Sequence, residues 1–195
     1  MSDLPQADRI AGLPHPCETE HLFGHDGACA QVLDAFNGDR MHHAWMLTGP
    51  KGIGKASLAY HVSRFLLTAE PAGDSLFGTP PPATSLAVPA DHPVARRIRA
   101  GSEPGLCILR RPVDDKTGKL KTVIPVDTVR ELRRFFSLSA GGNGRRVVIV
   151  DCIDEMNANA ANALLKVLEE PPQDAVLLLV THQPSRILPT IRSRC

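Results

Sequence analysis

Gly49-Pro50-Lys51-Gly52-Ile53-Gly54-Lys55-Ala56-Ser57 is the stretch whose residue types and spacing could do chemistry. A glycine-rich turn ending in lysine aims successive backbone N–H groups at one centre, and with a helix N-terminus behind it this arrangement binds a polyphosphate. Gly49, Gly52 and Gly54 let the backbone close round the anion, Ile53 is carried in the turn, and Lys55 would bring a point charge to the β/γ oxygens. The next position needs Ser or Thr to hold Mg²⁺ through its hydroxyl, and here it is Ala56. Ser57 comes one residue late, a rotation of about 100° and a rise of about 1.5 Å on a helix, and is expected to point away. A second group with chemistry is Asp151, which ends the apolar run Val147-Val148-Ile149-Val150. A carboxylate at the end of a buried strand beside the loop would bind the water shell of Mg²⁺.

These groups need elements to position them. Ala44 to Thr48 reads as a buried strand entering the loop, and Leu58 to Leu67 as an amphipathic helix leaving it. Four β-formers before Asp151 signal a strand covered on both faces, hence a parallel sheet, and Ala175 to Thr181 is equally apolar. Between them Asn157 to Glu170 reads as a helix with Ala161, Leu164, Leu165 and Leu168 as its core stripe, stopped by Pro171-Pro172. A helix is expected over Asp26 to Asn37, with Val32, Leu33 and Phe36 on one face and Asn37-Gly38 closing it in the left-handed conformation. Leu106 to Arg110 is a candidate strand, and Asp114 to Lys119 a hairpin tip. Val126 to Ser137 is a helix with Val129, Leu132 and Phe136 inward and Asp127 as N-cap, and Gly141-Gly142-Asn143-Gly144 ends that unit. Residues 1–20 read as an irregular arm, and 71–93, with six prolines, as a flexible surface insertion. Strand, helix and strand repeated about a glycine loop give an α/β, doubly wound domain over 1–195, with the nucleotide at the strands' carboxyl ends.

Composition narrows the function classes. With 43% hydrophobic residues among 195 the chain can bury a globular core. A net charge of +1, from 22 basic and 21 acidic side chains, announces neither a nucleic-acid nor a membrane binder in bulk. Cys17, Cys29, Cys107, Cys152 and Cys195 are odd in number, spread out and never C-x-x-C, which argues for free thiols in a reducing cytoplasm and against a zinc site. No apolar run reaches membrane-spanning length and no signal peptide is visible.

Ala161-Asn162-Ala163-Leu164-Leu165-Lys166-Val167-Leu168-Glu169-Glu170-Pro171-Pro172, followed by Ile191-Arg192-Ser193-Arg194-Cys195, resembles the nucleotide-binding domain of bacterial clamp-loader subunits, AAA+ ATPases of the P-loop NTPase class. The likeness covers about His42 to Cys195 and implies a three-layer α/β/α fold with a mainly parallel sheet. Two subunit types of that family are close: the ATP-hydrolysing gamma/tau-like motor, and the delta-prime subunit of the DNA polymerase III holoenzyme, which does not hydrolyse. On the family pattern Asp151 falls on the metal aspartate and Cys152 on the glutamate that activates water. A cysteine is mostly neutral at pH 7, and losing a general base costs typically 10²–10⁴ in rate. Thr181 falls on a polar sensor of the γ-phosphate, although as a strand-ending hydroxyl it could equally cap the next turn. The resemblance implies that Arg194 is an arginine finger acting in trans on a neighbour's ATP. It also implies gamma/tau and delta subunits, the sliding clamp and primed DNA as partners. ATP with Mg²⁺ is then an optional ligand of a degenerate site and no zinc is held. A four-cysteine zinc module of the motor type is replaced by the proline-rich stretch, and the family's helical lid and collar do not follow Cys195. Asp154 and Glu155 read as solvated turn residues, and Glu169 and Glu170 as solvated or facing a cation across a subunit interface. An active motor ATPase is the principal rival; a small-molecule phosphotransferase would need an acceptor site that the sequence does not offer. The reading of a retained cradle with lost hydrolysis is staked on Val147–Asp151 lying alongside Ala44–Thr48.

Overall fold

The computed structural model describes residues 5–69, 81–138 and 144–195. Ten regular elements follow in order: α1 (Asp26–Asn37), β1 (Ala44–Thr48), α2 (Lys55–Thr68), α3 (Pro93–Arg99), β2 (Leu106–Arg110), α4 (Val126–Ser137), β3 (Arg146–Asp151), α5 (Ala158–Glu169), β4 (Ala175–Thr181) and α6 (Pro189–Arg192). The strands form one wholly parallel sheet in the order β1-β4-β3-β2. Alternation along the strands divides the core in two. Val147, Ile149, Val176, Leu178 and Val180 pack with α1, α2 and α3 on one face, while Val148, Val150, Leu177 and Leu179 pack with α4, α5 and α6 on the other. The result is the expected α/β/α layering, with both faces of the sheet covered.

The strand order corrects one expectation. β3 does not lie alongside β1, because β4 sits between them with registers Thr48↔Thr181 and Asp151↔Val180. All seven residues of β4 are buried, so the strand with most apolar surface to hide takes a central place. The adjacency on which the site reading was staked therefore fails as stated. That reading rests instead on what the carboxyl ends of β1, β4 and β3 bring together.

Smaller departures have local causes. Gly38 keeps φ −85°, and the left-handed residue after α1 is Asp39 at φ 50°. Pro125 is the N-cap of α4, so Asp127 lies inside the first turn, where its carboxylate suits the positive end of the helix and pairs with Arg130 at 2.8 Å. The core stripe of α5 is Ala160, Leu164 and Leu168, while Ala161 and Leu165 are only partly buried. Asp114–Lys119 does turn back on itself, closed by a Val113–Leu120 bridge. Of the proline-rich stretch, residues 71–80 lie outside the described residues, as do Gly141, Gly142 and Asn143. Residues 81–93 are fixed: Asn37 exchanges two 2.8 Å hydrogen bonds with the Ala83 backbone, and Leu86 is buried. The α3 helix that follows, with Pro93 at its first position and the His92 side chain capping Val94, escaped the sequence reading.

The α2 helix is not amphipathic in place. It is covered on its outer side by the N-terminal arm, which carries a short 3-10 turn at Pro16–Glu18. Arg64 donates to the Cys17 and Thr19 carbonyls at 3.0 and 2.7 Å, and His61 meets the Thr19 carbonyl at 2.9 Å. The polar residues of that face find their partners on the arm, which is why they can be buried.

Candidate functional site

The loop between β1 and α2 is built by its glycines. Gly54 has φ 91°, and a Cβ there would stand 3.1 Å from the ring of His25. A Cβ on Gly49, at φ 144°, would meet Ile53 Cδ1 at 2.7 Å. No L side chain fits either place without strain. His25, just before α1, pins the turn from outside through a 2.8 Å hydrogen bond between its Nε2 and the Ile53 carbonyl. Lys55 opens α2, and its buried Nζ donates to the Gly49 and Pro50 carbonyls at 2.7 and 2.6 Å, so the ammonium lies across the mouth of the loop. Burial depresses its pKa, against the opposing pull of Cys152, Asp151 and Asp154, which places those three within its electrostatic reach.

Asp151 ends β3, with β4 between it and the strand that enters the loop. Its carboxyl is pushed up to about 6, first by burial and then by the negative charges of Asp8 and Glu155, with Arg110 and Lys55 opposing. Cys152 is buried, and burial followed by the charge of Asp154 raises its thiol pKa far above the ordinary range. It is a neutral S–H donor and no base. Asp154 is not solvated, as the sequence suggested. Its carboxylate accepts from the His182 backbone N–H at 3.2 Å, and the Cys152 thiol and Thr181 hydroxyl lie near enough to favour its charged form. Burial would raise its pKa, yet these donors hold it below the usual carboxylate range. Glu155 turns outward to Arg111 at 2.7 Å.

Thr181 is fully buried next to Thr48. Its Oγ1 accepts from the Gln183 N–H at 3.1 Å, the geometry of a turn cap. Ser57 is not brought to the site, since its hydroxyl lies 3.3 Å from Thr19 Oγ1 on the arm. Gly49, Gly52, Ile53, Gly54, Lys55 and Ala56 do line one turn, and Ala56 brings only a methyl. A polyphosphate would meet a suitable cradle of N–H groups here. For a Mg²⁺ beside that phosphate the chain would offer the Asp151 carboxylate, while Ala56 brings no hydroxyl. Arg194 lies elsewhere, at the carboxyl end of α5 beside Glu169. A groove of about 1010 Å³ runs between α4 and α5 past Arg133, Phe136 and Lys166.

The sequence reading missed His25, Asp154 and the arm's Asp8. Asp8 lies buried between Arg110 and His15, and Arg110 is the ladder partner of Asp151. Asp154 was visible three residues after Asp151, but only the fold shows that the chain bends back to aim it at β4.

Comparison with known proteins places this geometry. A family model described as DNA polymerase III, delta subunit matches residues 24–195. The chain is 44% identical over 153 residues to the DNA polymerase III subunit delta' of Pseudomonas aeruginosa, covering 78% of this chain and 41% of that protein. It is 30% identical over 180 residues to the DNA polymerase III subunit gamma/tau of Mycobacterium tuberculosis, covering 92% of this chain and 28% of that one. The chain therefore spans less than half the length of these relatives. Among solved structures, the Thermotoga maritima RuvB Holliday junction branch migration motor superposes with a TM-score of 0.50 at 14% identity, over 92% of this chain and 47% of that one. That likeness concerns the fold alone, an α/β domain with a parallel sheet between helices. With the family match running from the turn before α1 through the last residue, the chain belongs to the DNA polymerase III delta subunit family, beside the proteins named delta'.

Proposed function

We propose that this chain is the nucleotide-binding-type domain of a delta-prime clamp-loader subunit in DNA replication. It acts as a non-hydrolysing stator in a cytoplasmic ring with gamma/tau and delta subunits, which opens the sliding clamp and sets it on primed DNA. Its Arg194 serves the ATP of the neighbouring subunit. One observation carries the loss of hydrolysis: the residue in the place that resemblance gives to a water-activating glutamate is Cys152, a buried thiol that burial keeps neutral. Ala56 and the diverted Ser57 remove the metal hydroxyl as well. The loop still suits ATP or ADP, while Mg²⁺ would have Asp151 and little else. No described helix is long and apolar enough to cross a membrane.

The likeness to gamma/tau proteins keeps a motor ATPase as the rival reading. Steady-state ATP hydrolysis by the purified full-length chain separates the two. The wild type should stay far below ~1 s⁻¹, the low end of ordinary turnover. Cys152→Glu should not raise it, because the new carboxylate would be buried against Asp154 and Asp151 while Ala56 still offers no metal ligand. Turnover near ~1 s⁻¹ by the wild type would favour the motor.

A further inference from the structure

The Arg194 guanidinium is held by its own chain at two points. Nη1 donates to the Thr190 carbonyl in α6 at 2.8 Å, and Nη2 donates to Glu169 Oε1 at the end of α5 at 3.0 Å. Two bonds from two elements fix both the position and the plane of the fork, and they spend two of its five N–H donors. The remaining edge is accessible, since about 35% of the Arg194 side chain is exposed.

The ion pair makes a poor stabilising device. Glu169 is about 44% exposed, where such pairs contribute little, and its carboxylate stands at the helix end that disfavours anions. A contact that does little for the fold yet orients a cation is explained by the cation's use. We infer that Glu169 is a positioning residue for the Arg194 finger, presetting the guanidinium so that its free edge meets the neighbour's phosphoryl group without a search through rotamers. This rests on the finger reading above. The cation expected across a subunit interface from Glu169 is thus supplied from within the chain.

The test is ATP turnover in the reconstituted clamp loader, built with the full-length chain and with every ATP site silenced except the one beside this subunit. Glu169→Ala should lower kcat roughly threefold to tenfold at unchanged KM for ATP, because a long side chain released from its rotamer must be ordered again at each event. Glu169→Gln keeps an acceptor oxygen at the same reach and should recover most of the loss, with thermal unfolding unchanged in both variants. A Glu169→Ala complex at or above wild-type kcat, with Arg194→Ala slow, overturns the positioning role alone. Wild-type turnover in Arg194→Ala overturns the finger reading and this inference with it.

Discussion

Replacing Arg194 by alanine is expected to slow ATP turnover at the neighbouring subunit's site by about 10³-fold, a barrier increase of about 4 kcal/mol. The size follows from where the interaction acts. A guanidinium delivered to a transferring phosphoryl group meets charge that grows only toward the transition state, so its loss appears in kcat and not in substrate binding. Arg194 is placed for such a task on the last turn of the chain, with an exposed edge and a side chain tethered to Thr190 and Glu169. Arg194→Lys should recover little, since an ammonium cannot reproduce a fork fixed at two points. The measurement is steady-state hydrolysis in the assembled complex with the other ATP sites silenced. A rate within twofold of wild type would remove Arg194 from the mechanism.

The loop, the strands and the helix α5 were legible because each is written locally. Glycines followed by lysine specify a turn, an unbroken run such as Val147–Val150 a doubly covered strand, and Leu164 and Leu168 a helix face. What stayed hidden depends on residues distant in sequence. Nothing near Val147 says that Val176–Val180, the more apolar run, will take the place beside β1. Nothing near Asp8 says that it will be buried against Arg110, and the polar face of α2 looked solvent-facing until the arm covered it. In the site, the sequence showed which groups are missing, Ala56 and Cys152, but not how the survivors are spent. Asp154 takes the His182 N–H and Thr181 the Gln183 N–H, so these survivors are spent on the turn that follows β4.

The arm itself carries the second large effect, a stability that falls as pH rises through the range between about 6.5 and 9. Asp8 is almost wholly buried, with its carboxylate on His15 Nε2 at 3.2 Å, on Arg110, and on the Tyr60 hydroxyl at 3.3 Å. For His15, burial alone would lower the pKa, but the Asp8 carboxylate 3.2 Å from its Nε2, with a smaller contribution from Cys17, raises it to about 9. Asp8 moves the other way: burial would raise it, and His15 and Arg110 hold it below the usual carboxylate range. A raised histidine gives stability that is complete below its unfolded value near 6.5 and is lost as pH climbs to 9. The lowered Asp8 loses its share only in acid, and the penalty on Asp151 is complete by about pH 6, so neither falls in this window. A shift from 6.5 to about 9 corresponds to about 3 kcal/mol. Urea unfolding should show stability falling between pH 6 and pH 9 in the wild type; His61, whose pKa burial lowers, subtracts from the fall near pH 6 and the raised thiols of Cys107 and Cys195 add to it near pH 9, so the share of His15 is read as the difference from Asp8→Asn. Asp8→Asn should lose about 3 kcal/mol at pH 6, by leaving Arg110 and His15 buried without their anion, and should flatten the slope above pH 6.5. Equal slopes in the two proteins would mean that the arm is not held by this charge cluster, and that Arg110 is free to pair with Asp151 instead.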